Sequence, residues 1–205
     1  MLTLALHHDE SVFVYLKEAG KGKHQIEQLG LFPSVFSFDQ QFLYQKDAEL
    51  SFRKMLKDIL EVLSLKDEAL YLSFSAQLCY FSFYENIPKD DIRELVDKDI
   101  WLTKLKFGAD FAERNECQVK ALYKPDNRVS LICIYYPKLI REMISMACRE
   151  LSCQAAGLGI HIFNISEVAR LAVSEKEYVI AYFHRDMYEV MHIADDYVRG
   201  YARFS

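Results

Sequence analysis

The 205-residue chain reads as a mixed α/β protein, with α/β and α+β features combined. Three observations predict this. Residues 128–173 run strand, helix, strand, helix. Leu70 to Tyr80 alternates apolar residues with Ser73, Ser75 and Gln77, the two-residue period of a strand. Both ends of the chain, residues 2–30 and 177–204, read as three-stranded meanders joined by polar turns.

Taken in order, Leu2 to Leu6 is an apolar strand and His7-His8-Asp9-Glu10 a polar turn. Ser11 to Leu16 is a second strand, and a Gly/Lys loop leads to a weaker third, Gln25 to Gly30. Leu31 to Tyr44 is an aromatic loop in which Pro33 blocks a helix. Asp47 is placed to cap a helix over residues 48–64, with Leu50, Met55, Leu56, Ile59, Leu60 and Leu63 as its apolar face. The long run through Tyr84 is expected to break at Ser75 to Gln77. After Pro88, Asp90 and Asp91 open an acidic-start helix reaching about Leu105. Its apolar positions are Ile92, Leu95, Val96, Ile100 and Trp101, while Glu94, Asp97 and Asp99 are assigned to a solvated face. Phe111 to Tyr123 and Val129 to Tyr136 read as a hairpin turning at Pro125-Asp126-Asn127. Leu139 to Leu151 recurs at helical spacing, and Ala156-Gly157-Leu158 is expected to end that helix with Gly157 as its left-handed cap. Gly159 to Ile165 then alternates as a strand, and Ser166 caps a short helix, residues 167–173.

Composition narrows the function. A net charge of −5 and the lack of a basic stripe argue against nucleic acid. No basic segment followed by an apolar core opens the chain, and the charge-free stretch Ala69 to Tyr84 contains too many serines and is too short to span a bilayer, so a cytoplasmic location is expected. The five cysteines, Cys79, Cys117, Cys133, Cys148 and Cys153, read as core thiols of a reducing compartment. Cys148 and Cys153 are five apart and would not share a helix face closely. No His pair completes a zinc set.

The order strand, amphipathic helix, Ala156-Gly157-Leu158, strand, helix resembles the first lobe of the actin-like ATPases, a ribonuclease H-like architecture, and within them the PilM and FtsA branch. Glu85-Asn86-Ile87-Pro88 and the acidic helix after it stand where that branch places an inserted subdomain called 1C. The resemblance implies a first lobe from residues 1–85 and 137–173, a 1C-like insert at 86–136, and the opening meander of an incomplete second lobe at 174–205.

Actin-like ATPases hold phosphates with two Asp-x-Gly turns. There the carboxylate organises magnesium, and the glycine lets backbone amides approach. The corresponding positions here read Leu6, His8 and Ser11 in the first turn and Tyr182 and His184 in the second. The resemblance thus implies degenerate nucleotide loops and no expected cofactor, with ATP and magnesium as the alternative. His7, His8, Asp9 and Glu10, or His184, Arg185 and Asp186, could serve a metal or acid–base site, but polar residues also fill hairpin turns because turns are solvated. The implied function is a cytoplasmic scaffold of a type IV pilus or type II secretion platform, not an enzyme. It would reach the membrane only through a partner, by recognising that inner-membrane protein's N-terminal cytoplasmic peptide. Trp101, Phe81, Phe83, Ile92 and Tyr136 are the candidate anchors. Two alternatives stand beside it: an ATP-binding protein whose second lobe comes from elsewhere, and a subunit that self-associates through the 177–204 meander.

Overall fold

The computed structural model describes residues 1–7, 10–20, 23–33, 36–123, 127–184, 187–195 and 197–204. The elements in order are β1 (Leu2–Leu6), β2 (Glu10–Gly20), β3 (Lys23–Pro33), α1 (Gln40–Leu43), α2 (Ala48–Val62), β4 (Ala69–Phe74), β5 (Tyr80–Pro88), α3 (Ile92–Phe107), α4 (Asp110–Arg114), β6 (Asn115–Tyr123), β7 (Arg128–Pro137), α5 (Lys138–Glu150), β8 (Gln154–Ile160), α6 (His161–Ala172), β9 (Glu177–His184), β10 (Met187–Ala194) and β11 (Tyr197–Phe204). They divide into two units, residues 1–78 with 138–161 and residues 79–137 with 162–205.

The first unit is built on a five-stranded sheet of order β3-β2-β1-β4-β8. The first three strands are antiparallel, while β4 lies parallel to β1 and β8 parallel to β4. Leu2, Leu4 and Leu6 pair with positions that put Leu70, Leu72 and Phe74 on the same face, and all six are buried. Ser11, opposite Leu6, contacts Met55 Sδ of α2 through its hydroxyl at 3.6 Å, so α2 covers this face. Ala48, Phe52, Met55, Leu56, Ile59 and Leu60 form the buried side of α2, each large apolar one contributing about 1.5–3 kcal/mol. Leu50, expected on that side, is exposed. Asp47 stands at the N-cap position but makes no side-chain cap bond, because its backbone (φ −108, ψ 10) has left the extended region a cap requires. The aromatic loop instead caps α1, where Asp39 Oδ1 accepts from Phe42 N at 2.8 Å.

The break inside 70–84 falls where expected, as a 3₁₀ turn over Ala76–Leu78. Two expectations are corrected. Helix α5 stops at Glu150, and Ala156-Gly157-Leu158 lies inside β8, not at a helix end. Tyr71 pairs with Gly157, whose missing Cβ would stand 2.7 Å from the Tyr71 ring. The glycine therefore admits a ring instead of turning a helix. Pairing with β4 outweighs the helix preference of Ala155, which gains Leu70 as a ladder partner, while Ala156 is the extra residue at the register shift. In consequence α6 begins at His161, and Ser166 is inside it, donating to Phe163 O at 2.7 Å.

The second unit holds two three-stranded sheets, β5-β7-β6 and β11-β10-β9. Phe111 to Arg114, expected in a strand, belong to the helix α4. Gly108 at φ 98 ends α3 and turns the chain so that Phe111 stacks on Phe107, centroids 4.8 Å apart. The hairpin proper is β6 with β7; Pro125 and Asp126 of its expected turn lie outside the described residues.

Candidate functional site

Two regions hold the residues that the sequence singled out. The first is the carboxyl end of the parallel strands β1, β4 and β8, where open α/β sheets place ligands. Leu6 ends β1 with its side chain 1 % exposed, and Ser11 points into the same core beneath α2. His7 N donates to Glu10 O at 3.0 Å, closing the turn, and the His7 ring packs on His161 with centroids 4.4 Å apart. Sequence spacing could not reveal this imidazole pair, since it forms only when β8 lies beside β4. His8 and Asp9 are outside the described residues, as are Arg185 and Asp186 of the second turn. His184 pairs through its backbone with Met187. Tyr182, on the buried side of β9, pairs with Glu189, and burial followed by that carboxylate's charge pushes the phenol up to about 12. Among the described residues, no group of three or more metal-ligating side chains is present.

The second region is the β5-β7-β6 sheet, whose two faces differ. On one, Tyr84 OH donates to Asp99 Oδ1 at 2.5 Å and Tyr135 OH to Asp99 Oδ2 at 2.6 Å. Asp99 is 3 % exposed, so its assignment to a solvated helix face is corrected. Burial first, and then the hydrogen bond to Asp99, raises both phenols above their ordinary value. Thr103, also buried, donates to the Asp99 carbonyl at 2.8 Å. Asp99 and Thr103 are the buried residues of α3, and four of its apolar residues are exposed: Trp101 is 57 % exposed and Leu105 64 %, with Leu102 and Phe107 also exposed, while Ile92, Leu95, Val96 and Ile100 are half-buried.

Strand alternation puts Phe81, Phe83 and Tyr136 on the other face. Phe81 contacts Phe163 at 5.8 Å and Tyr201 at 4.8 Å between centroids, and Phe83 contacts Tyr201 at 6.4 Å. Both are half-buried, and Tyr136 is buried. The five candidate anchors thus fall into two groups, Trp101 with Ile92 on α3 and Phe81 with Phe83 and Tyr136 across the sheet. Leu102 and Leu105, which the sequence reading did not single out, join Trp101. Leu105, four residues after Trp101 and three after Leu102, was the available signal, since such spacings are neighbours on a helix surface.

No family model matches the chain, and no curated protein does. Solved structures do. A chain of the PilM–PilN type IV pilus biogenesis complex superposes with a TM-score of 0.73 at 11 % identity, covering 98 % of this chain and 60 % of that one. A Bacteroides thetaiotaomicron protein of actin-like ATPase fold and unknown function gives 0.56 at 13 % identity, covering 100 % of this chain and 69 % of that one. The cytoplasmic domain of EpsL, an inner-membrane component of the Vibrio cholerae type II secretion system, gives 0.55 at 11 %, covering 96 % and 68 %. The fold is a PilM-like, actin-like ATPase fold, and this chain spans 60–69 % of the length of these neighbours.

Proposed function

We propose that this chain is a binding module of an inner-membrane assembly platform, of the pilus or type II secretion kind. It holds the N-terminal cytoplasmic peptide of a membrane partner and does not turn over nucleotide. The observation that carries this is the apolar group on α3. Trp101, Leu102 and Leu105 face outward while Asp99 fills the inner side, so the helix offers a greasy anchor point to a partner. The likeness to a chain of the PilM–PilN complex and to the EpsL cytoplasmic domain supports the kind of partner. In this reading residues 1–85 and 137–173 are the first lobe, 86–136 the 1C-like insert and 174–205 the opening of the second lobe. Trp101 is the anchor, Ile92 stands nine residues earlier and so about half a turn around α3 from it, and Phe81, Phe83 and Tyr136 support the sheet from behind. The burial of Leu6 and Ser11 supports the loss of nucleotide chemistry, because neither offers a carboxylate or hydroxyl to magnesium or phosphate.

Trp101 is the single tryptophan, so its emission reports the site directly. Titration with N-terminal peptides of the host's membrane-anchored pilus and secretion proteins should shift its emission to the blue. Trp101→Ala should weaken binding about 30-fold, corresponding to about 2 kcal/mol for an interface anchor. Binding that leaves the emission unchanged and survives Trp101→Ala would move the site elsewhere.

A further inference from the structure

Helix α5 ends in a turn that sets two thiols against each other. Leu151 N donates to Ala147 O and Cys153 N to Cys148 O, both at 3.0 Å, across Ser152 at φ 54. This is the Schellman arrangement, in which the residue two beyond the cap bonds back to the third from the helix end and the two side chains meet. Helix α2 ends the same way: Leu65 N donates to Leu60 O at 2.9 Å across Ser64 at φ 54. There the facing residues are leucines. In α5 they are cysteines, Cys148 and Cys153, joined through the backbone bond from Cys153 N to Cys148 O. The spacing of five that separates them on a continuous helix brings them together once Ser152 turns left-handed.

We propose that Cys148 and Cys153 are a dithiol modification site that closes to an intramolecular disulfide by exchange with a small oxidised thiol. Such a bond needs Cα atoms within about 4.4–6.8 Å, and the 3.0 Å bond from Cys153 N to Cys148 O folds the two backbones back on each other. Cys153 is half-buried and Cys148 is buried, so an incoming disulfide meets Cys153 first. The neighbouring Cys148 thiol holds Cys153 below its ordinary value, while Cys148 itself is raised. The Cys153 thiolate attacks one sulfur of the small disulfide, forming a mixed disulfide and releasing one small thiolate. That thiolate takes the Cys148 proton. Cys148 sulfur then attacks Cys153 sulfur, and the second small thiolate leaves and is protonated by the proton first lost from Cys153. Two protein thiols are oxidised and one small disulfide is reduced to two thiols. Leu151 and Ser152 of this turn line a cavity of about 700 Å³ between the ends of α2 and α5, so the bond stiffens one of its walls.

The second thiol pair supplies a comparison. Cys117 and Cys133 lie on adjoining strands, but in register Cys117 faces Tyr135 and Cys133 faces Val119. They are diagonal neighbours on a ladder, and closing that diagonal would pull β6 and β7 out of register.

The experiment incubates the folded, full chain with glutathione disulfide, blocks remaining thiols with a maleimide, and digests with trypsin. Cleavage after Arg149 separates Cys148 from Cys153. In the oxidised protein their two peptides should stay joined and come apart on reduction, and the joined fraction should follow the ratio of oxidised to reduced glutathione. In Cys148→Ser, the glutathione adduct on residue 153 should persist. The proposal is overturned if the joined pair forms only after denaturation, if Cys153 of the unaltered protein keeps a stable adduct, or if Cys117 and Cys133 are the pair that joins.

Discussion

Asp99 is 3 % exposed, and both its carboxylate oxygens accept tyrosine hydroxyls from neighbouring strands. Truncating it leaves the Tyr84 and Tyr135 hydroxyls buried without an acceptor, and hydrogen bonds to a charged group are the strong ones. Asp99→Ala should lower unfolding free energy by about 3 kcal/mol, and Tyr84→Phe or Tyr135→Phe by about 1–2 kcal/mol each. The losses should fall short of adding up when combined, because the three groups form one network. Urea denaturation measures this, and a cost for Asp99→Ala below about 0.5 kcal/mol would mean the network does not hold α3. Glu189 is the second buried carboxyl, 0 % exposed, with Oε1 accepting from Tyr201 OH at 3.2 Å. Burial raises its proton affinity above the ordinary 4.5, against smaller opposing effects of the Tyr201 hydrogen bond and the Arg203 charge. The folded chain therefore holds that proton more tightly than the unfolded chain. Its contribution to stability is complete below 4.5 and is lost as pH rises through the raised folded value. Glu189→Gln should flatten that fall and stabilise the protein at neutral pH, seen as a thermal midpoint that no longer drops between mildly acidic and neutral buffer.

Helices α2 and α5 end on left-handed serines, Ser64 and Ser152, both at φ 54. A Cβ in that conformation costs about 1–2 kcal/mol at worst, which glycine avoids. Glycine also loses more freedom on folding, so the net gain is smaller. Ser64→Gly and Ser152→Gly should each stabilise the chain by about 0.5–1 kcal/mol in urea denaturation. A loss at either position would show that the serine contributes more than a turn. The Ser152 turn also aims the next strand: Gln154 N donates to Glu68 O at 3.0 Å, and β8 enters the sheet beside β4. Helix α3 ends on Gly108 at φ 98, and that turn stacks Phe111 on Phe107.

Across the whole molecule, the proposed function separates binding from stability. Trp101 is 57 % exposed, so Trp101→Ala should leave the unfolding midpoint nearly unchanged while partner capture fails. A core tryptophan would instead cost about 3–5 kcal/mol on truncation. Magnesium-ATP should leave the thermal midpoint where it is. A rise of several degrees would favour the nucleotide-binding reading, since a ligand stabilises the state it binds. The β11-β10-β9 sheet shows Phe183, Tyr188 and Phe204 exposed across one row, and self-association through it predicts a scattering mass that grows with concentration. No helix among the described residues is long and apolar enough to cross a membrane.

The sequence by itself determined the mixed α/β class, most of the strands and helices α2, α3 and α5, because apolar periodicity is local; the actin-like lobe came from the resemblance that their order carries. Leu70 to Tyr80 alternates wherever it is placed, and the α2 and α5 stripes are written at helical spacing. It also marked Trp101 among the candidate anchors. Tertiary structure alone decided where α5 stops and β8 starts, since Ala155 suits a helix until Leu70 of β4 offers it a ladder partner. It buried Asp99, because the hydroxyls of two distant tyrosines outweigh the residue's own polarity. It divided Phe81, Phe83 and Tyr136 from Trp101, because alternate strand residues face opposite sides while the helix covers only one. And it brought Cys148 to Cys153 and His7 to His161, contacts that depend on a left-handed turn and on parallel pairing, neither of which a spacing along the chain records.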